Sequence, residues 1–272
     1  MKTTRLFLAC AILVLTAIAT NAAESPFKVG IQTWTLREMN FDQVVEFAVK
    51  HKVKYLEMID KHINPKGPVE ETKRKKEILD KNGLVCYTFG VAGTSKQKEE
   101  NRKLFEFAKL MGIKLIVVEP GDMTIWDNLE ELVKEYDIKL AVHNHGLGSP
   151  YGNPETVKKV LAARDSRIGV CLDVGHVTGA GFDAAKVFSE YNGRVYDIHL
   201  KDKKTVTDAN GKKQIDDVKI GTGDANYKGL FEELRKSNWN GVLAIETDNR
   251  EFPKHPDDYV AEAIRFVNKS GK

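Results

Sequence analysis

The chain has 272 residues, of which 42% are hydrophobic and 30% charged, with 42 Lys and Arg against 39 Asp and Glu. So even a balance gives no general drive toward nucleic acid or anionic lipid. The length suits one large domain with a full core, a size common among α/β barrels.

Residues 1–23 read as a cleaved secretory leader rather than part of the fold. Lys2 and Arg5 precede an apolar run from Leu6 to Ile18, and Ala19, Ala22 and Ala23 follow, with cutting expected after Ala22 or Ala23. The run is too short to span a bilayer, and no other stretch is long and apolar enough. Cys10, early in this run with Phe7 three residues before it, makes a poor lipoprotein signal, so a soluble periplasmic or secreted protein is expected. Without Lys2 and Arg5, 40 basic residues face 39 acidic ones.

From residue 28 onward short apolar runs alternate with amphipathic helical patterns. Strands are predicted at 28–33, 54–59, 84–89, 114–119, 138–143, 168–173, 194–200 and 241–246. Helices are predicted near 41–52, 69–82, 96–111, 124–136, 154–163, 183–190, 226–238 and 257–268. Asn40, Ser95 and Asn153 stand where N-caps belong, the last with Pro154 at the first helical position. Strands joined through helices run parallel, and eight such units over 24–272 predict a (β/α)8 TIM barrel as a single domain. An open doubly wound sheet is the alternative, but its glycine-rich first turn is missing, since the first strand ends in QTWTLRE. Cys86 and Cys171 fall inside predicted strands and are expected as buried free thiols.

Two connections are long. Residues 144–153 (NHGLGSPYGN) should form a loop over the fifth strand. Within 201–223, the runs TVT and QID around Asn210-Gly211 suggest a hairpin flap with a tight turn. In a barrel both rise on the C-terminal face, where active sites are built.

Chemistry-bearing residues gather at the strand ends: Glu57, Glu119, His143, Asp173, His199 and Glu246, followed closely by His145, His176 and Lys201. Carboxylates crowded on one rim repel one another unless a cation or shared protons neutralise them. Mixed imidazole and carboxylate donors suit Mn²⁺, Zn²⁺, Co²⁺ or Fe²⁺ better than Ca²⁺. The expected ligands are His143, Asp173, His199 and Glu246, with Glu119 as an added or supporting member.

LDVGH at 172–176, HLKD at 199–202, GTGD at 221–224, AIET at 244–247 and GIQTWTLRE at 30–38 together resemble the xylose isomerase-like TIM-barrel superfamily. Its sugar isomerases and epimerases share a fold with endonuclease IV. The resemblance implies a divalent metal on Asp173, His199 and Glu246, with His176 beside it, Glu57 orienting substrate and Trp34 bordering a sugar. Family members often carry Glu-Asn-His at the end of the fifth strand; here it is His143-Asn144-His145, so a two-carboxylate epimerase loses one base. Glu119 matches a metal-binding histidine of endonuclease IV.

The expected reaction is proton abstraction next to a carbonyl of a free keto sugar, through an enediolate. Glu246 serves as base, His145 or His176 as acid, and Lys201 neutralises oxyanion charge, while Trp34, Glu57 and Glu119 contact the substrate. A metal-dependent isomerase or epimerase is placed first, and a lyase or hydratase acting on 3-keto-glycosides by elimination second. A non-catalytic periplasmic sugar binder is the third reading. The charge balance argues against an endonuclease.

Overall fold

A computed structural model describes residues 26–272, so the leader expected over 1–23 lies outside the described residues. The barrel strands are Lys28–Gln32 (β1), Tyr55–Met58 (β2), Val85–Ala92 (β3), Leu115–Val118 (β4), Lys139–His143 (β5), Ile168–Asp173 (β6) and Val195–Leu200 (β7). A hairpin of Asp202–Thr207 (β8) and Lys213–Val218 (β9) precedes the last of them, Val242–Ile245 (β10). Barrel pairings are parallel, and β1 bonds to both β2 and β10, which closes the ring of eight expected from the sequence.

Phe41–Lys50 (α1), Val69–Lys81 (α2), Lys98–Met111 (α3), Ile125–Tyr136 (α4) and Pro154–Ala163 (α5) surround the first strands. Val174–Gly179 (α6), Ala184–Glu190 (α7), Tyr227–Lys236 (α8) and Pro256–Ser270 (α9) complete the set. Among the described residues, no helix is long and apolar enough to cross a membrane. Asn40 caps α1 in a reciprocal capping box with Gln43, and Asn153 caps α5 ahead of Pro154, as expected.

Ser95 does not cap α3. The Asn101 side chain bonds both the Ser95 N–H and its carbonyl at 2.8 Å, which ties 95–97 into a turn and delays the helix to Lys98. The short helix α6 was not foreseen, because six residues are too few to show a helical period. Its cause is Asp173, whose Oδ1 accepts from the His176 N–H at 2.8 Å and so caps the turn that ends β6.

The predicted flap exists, but its turn is wider than a two-residue one. Thr207 pairs with Lys213, and Asp208 Oδ1 closes the intervening loop by accepting from the Asn210 and Lys212 N–H groups, both at 2.9 Å. The HLKD and GTGD stretches interlock here. Asp202 accepts from the N–H groups of Gly221 at 2.9 Å and Gly223 at 2.8 Å, fixing the return of the hairpin.

Strand alternation aims the chemistry. Ile168, Val170 and Leu172 join the large core against the helices, whereas Cys171 joins a small cluster with Leu115, Val117 and Ala141 inside the barrel. Asp173 continues that inner face. The same alternation turns Ile198 and Leu200 outward and Asp197 and His199 inward, all fully buried. Cys86 and Cys171 are free thiols, the first half-buried and the second buried.

In the loop after β2, His62 is fully buried and bonds the Met39 carbonyl through Nε2, and burial pushes its ring down to about 4. A ring with a depressed pKa favours the neutral form in the fold. Its contribution is therefore complete above about 6.5 and is lost as pH falls toward about 4, amounting to roughly 3 kcal/mol. Urea unfolding of wild type and His62→Gln at pH 7 and pH 4 should show a smaller acid loss in the variant; equal losses would refute this.

Candidate active site

The C-terminal ends of the strands enclose a cavity of about 270 Å³, walled in part by Trp34, His143, His145, His199, Lys201 and Glu246. Trp34 keeps 42% of its surface exposed, while the Arg37 guanidinium lies 4.8 Å from its ring centre and bonds the Thr247 carbonyl at 3.0 Å. Gln32 accepts from the Trp34 N–H and donates to the Gly90 carbonyl, which fixes the ring at the cavity edge.

Donor atoms of His143 and His199 on the cavity wall and of Asp173 all lie within 4.8 Å of one another. His143 Nε2 is 3.6 Å from Asp173 Oδ2, and His199 Nδ1 is 3.7 Å from the same oxygen. Tetrahedral ligands each about 2.1 Å from one ion would sit about 3.4 Å apart, so this spacing fits. Asn144 clamps the centre by accepting from the Asp173 N–H at 2.9 Å and donating to its carbonyl at 3.2 Å.

Glu57, expected to touch substrate, does not line the cavity. It is fully buried and accepts from His199 Nε2 at 2.8 Å, which leaves Nδ1 turned toward Asp173. Behind it Asp197 accepts from the Tyr87 hydroxyl at 3.0 Å, and burial beside Glu57 holds the Asp197 carboxyl well above the usual range. Among the described residues, eight buried side-chain polar atoms lack a hydrogen-bond partner. Five of them belong to Glu57, His143, Asp173, His199 and Glu246, the Asp173 and Glu246 oxygens facing the Lys201 ammonium as ion pairs. Such atoms are rare in native proteins, and their gathering around one point marks a place built for a bound group.

Lys201 reaches into this acid cluster. Its ammonium pairs with Glu246, with Asp248 at 2.8 Å and with Asp173 at 3.1 Å. Burial would discharge the amine, but the three carboxylates outweigh it and hold its pKa well above the ordinary lysine value. Glu246, expected as a fourth metal ligand, rests on Lys201 and stands outside the compact donor triplet. Burial pushes its carboxyl up to about 8, Asp248 and Asp173 adding to the rise and Lys201 opposing it.

His176 departs from its expected role as an acid. It lies off the cavity wall 3.2 Å from Lys201 Nζ, and burial drives its ring down to about 3, so it is a neutral acceptor for the ammonium. Asp173 and Asp248, both held below the usual carboxylate range, outnumber the single ammonium and leave negative charge for a cation to neutralise.

On the opposite wall, His145 is 44% exposed and donates through Nδ1 to Glu119, whose other oxygen accepts from Ser149 Oγ at 2.7 Å. Burial raises the Glu119 carboxyl, yet the nearby His143 ring and the bonds from His145 and Ser149 outweigh it and leave it lowered. Glu119 is therefore a partner of His145 rather than a wall of the cavity. The 144–153 loop is pinned by Tyr151, which donates to the Pro120 carbonyl at 2.7 Å and accepts from Trp126 at 3.0 Å. Glu119, His143 and His145 also form a second group of closely spaced donors. Sequence reasoning missed Asp197, two residues before His199 on β7, where strand alternation was the available signal, and Asp248, which lies past the end of β10 where no such signal exists.

Gly175 shows why LDVGH needs its glycine. A Cβ there would meet Lys201 Cγ at 2.5 Å. Gly175→Ala should lower kcat about tenfold or more and cost about 1–3 kcal/mol by displacing the lysine stem. Unchanged turnover and unchanged melting would overturn this account.

Residues 45–270 match a family model described as xylose isomerase-like TIM barrel. The chain belongs to this family. Within the xylose isomerase-like TIM barrels, a protein of Clostridium perfringens strain 13 named inosose dehydratase is 26% identical over 249 residues, covering 74% of this chain and 81% of the relative. A putative uncharacterized protein from Parabacteroides distasonis superposes with a TM-score of 0.69 at 29% identity, over 89% of this chain and 98% of that one. The IolI protein, solved with a zinc atom bound, shares the fold at 16% identity and a TM-score of 0.69, over 90% and 98% of the two chains. The name of the Clostridium relative describes loss of water. Between the two enzyme readings of the sequence it favours elimination, placed second there, over isomerisation or epimerisation.

Proposed function

We propose that this xylose isomerase-like barrel is a metal-assisted lyase that removes water or an alcohol from a cyclic keto polyol or keto sugar. The observation that carries this reading is the pair of proton-transfer groups on the walls of one cavity, Glu246 seated on Lys201 and His145 seated on Glu119. Elimination needs one group to take the proton next to the carbonyl and another to give one to the departing oxygen. Glu246, with its carboxyl near 8, is suited to the first task near neutral pH. His145, turned into the cavity by Glu119, suits the second. Lys201 offsets negative charge developing on the carbonyl oxygen, and His176 and Asp248 hold the lysine in place.

His143, Asp173 and His199 would hold a divalent ion, whose Lewis acidity polarises a carbonyl when bound. Two imidazoles and a carboxylate favour Zn²⁺, Mn²⁺, Co²⁺ or Fe²⁺. The loss of the usual glutamate at His143 weakens the epimerase reading, and the dehydratase relatives support elimination. Residues 1–23 support export, which favours free rather than phosphorylated substrates; N-terminal sequencing of exported protein should begin at Ala23 or Glu24, and an intact Met1 would refute it.

The reaction is tested by incubating purified protein with an inosose and with keto sugars in deuterated water, with and without chelator. Metal-dependent loss of water or alcohol, seen by mass and by enone absorbance, is expected. Isomer formation with label uptake and no mass loss would return the chain to the isomerase reading, and binding without either would make it a sugar binder.

A further inference from the structure

The cavity above His143 and His199 adjoins a second one of about 340 Å³, between the loop after β2 and the end of β3, and Asp60 and Val91 belong to the walls of both. Each is near the lower end of the roughly 300–1,000 Å³ that holds a small ligand, so each has the scale of one ring.

The second compartment has its own chemistry. Pro65, Phe89 and Val91 give it an apolar side, Val91 being 38% exposed, while Asn64 and Thr94 add polar groups. The carboxylate of Asp60 and the hydroxyl of Thr94 form no hydrogen bond within the described residues, so both are available to a ligand. Its shape is set beforehand by Asn101, which spends its amide on both backbone groups of Ser95. Lys66 lies 3.8 Å from Glu100, and with Asp60 nearby the compartment holds no surplus positive charge. A phosphate or carboxylate would be repelled there. An uncharged sugar ring, with an apolar face and a hydroxyl edge, matches both kinds of wall.

We infer that this compartment is a subsite for an uncharged sugar ring and that the substrate is a two-ring glycoside spanning Asp60 and Val91. Which ring reacts rests on the proposed elimination; the binding of the second ring does not.

Calorimetry on the metal-loaded full chain with cellobiose, maltose and trehalose, each against glucose, tests the subsite without turnover. At least one disaccharide should bind about tenfold tighter than glucose, a gain of about 1.4 kcal/mol. A Cβ on Gly93 meets nothing within 4 Å, so Gly93→Trp adds a ring to the second compartment without a backbone clash. The disaccharide-to-glucose affinity ratio should collapse toward one in that variant and in Thr94→Tyr, and persist in Gly93→Ala. Disaccharides binding no tighter than glucose, or a ratio indifferent to both bulky variants in folded protein, would overturn the subsite. Turnover of a one-ring keto polyol alongside that result would leave the elimination reading standing, whereas tight disaccharide binding with no elimination from any keto polyol or keto sugar would sink the lyase and keep the subsite.

Discussion

His199→Ala should yield protein nearly free of metal and at least about a thousandfold slower. His199 joins Asp173, which Nδ1 faces, to Glu57, to which Nε2 donates. Its loss removes a donor from the triplet and leaves the Glu57 carboxylate beside Asp197 without the N–H it accepts from. Leaving a buried acceptor without its donor costs about 1–3 kcal/mol, and more for a charged group, so the alanine variant is also expected to melt early. His199→Gln separates the two effects. A glutamine amide can still donate to Glu57 but is a poor metal ligand, so this variant should keep most of the stability and still lose the metal. Elemental analysis, thermal melting and turnover on the three proteins decide the matter. Native metal content and activity in His199→Gln would remove the triplet from consideration.

For Glu246→Gln the expected result is a fall in kcat of about 10²–10⁴, with metal content held near the wild-type level. The reasoning lies in where the side chain rests. Glu246 pairs with Lys201 and stands apart from the three converging donors, so an amide there removes the proton acceptor and leaves the triplet intact. KM should move little if the carboxylate acts chiefly in the transition state. Metal content falling in step with kcat would show that Glu246 is a ligand, as the sequence alone suggests. Undiminished kcat would deprive the proposed elimination of its base.

Much of the architecture is legible along the chain because its causes are local. Alternating residues such as Ile168, Val170 and Leu172 announce a strand, and Asn40 and Asn153 announce helix starts through bonds that reach two or three residues. Ser95 misleads for the opposite reason, since Asn101 and Asn128 settle the shape of that turn from farther away. At the site, the chemistry-bearing strand ends could be picked out one by one, but their pairings could not.

The sequence by itself determined that eight strand-and-helix units close into a barrel and that acids and imidazoles crowd its C-terminal rim, because periodicity and strand-end position are properties of short stretches. Only the tertiary structure decided that Glu57 serves His199 across 142 residues of chain, that Glu119 serves His145, and that Glu246 rests on Lys201 across 45. Closure of the barrel brings these groups within a few ångströms in a place with little water. There each charge must find the nearest partner of opposite sign, and no local pattern of residues encodes which partner that is.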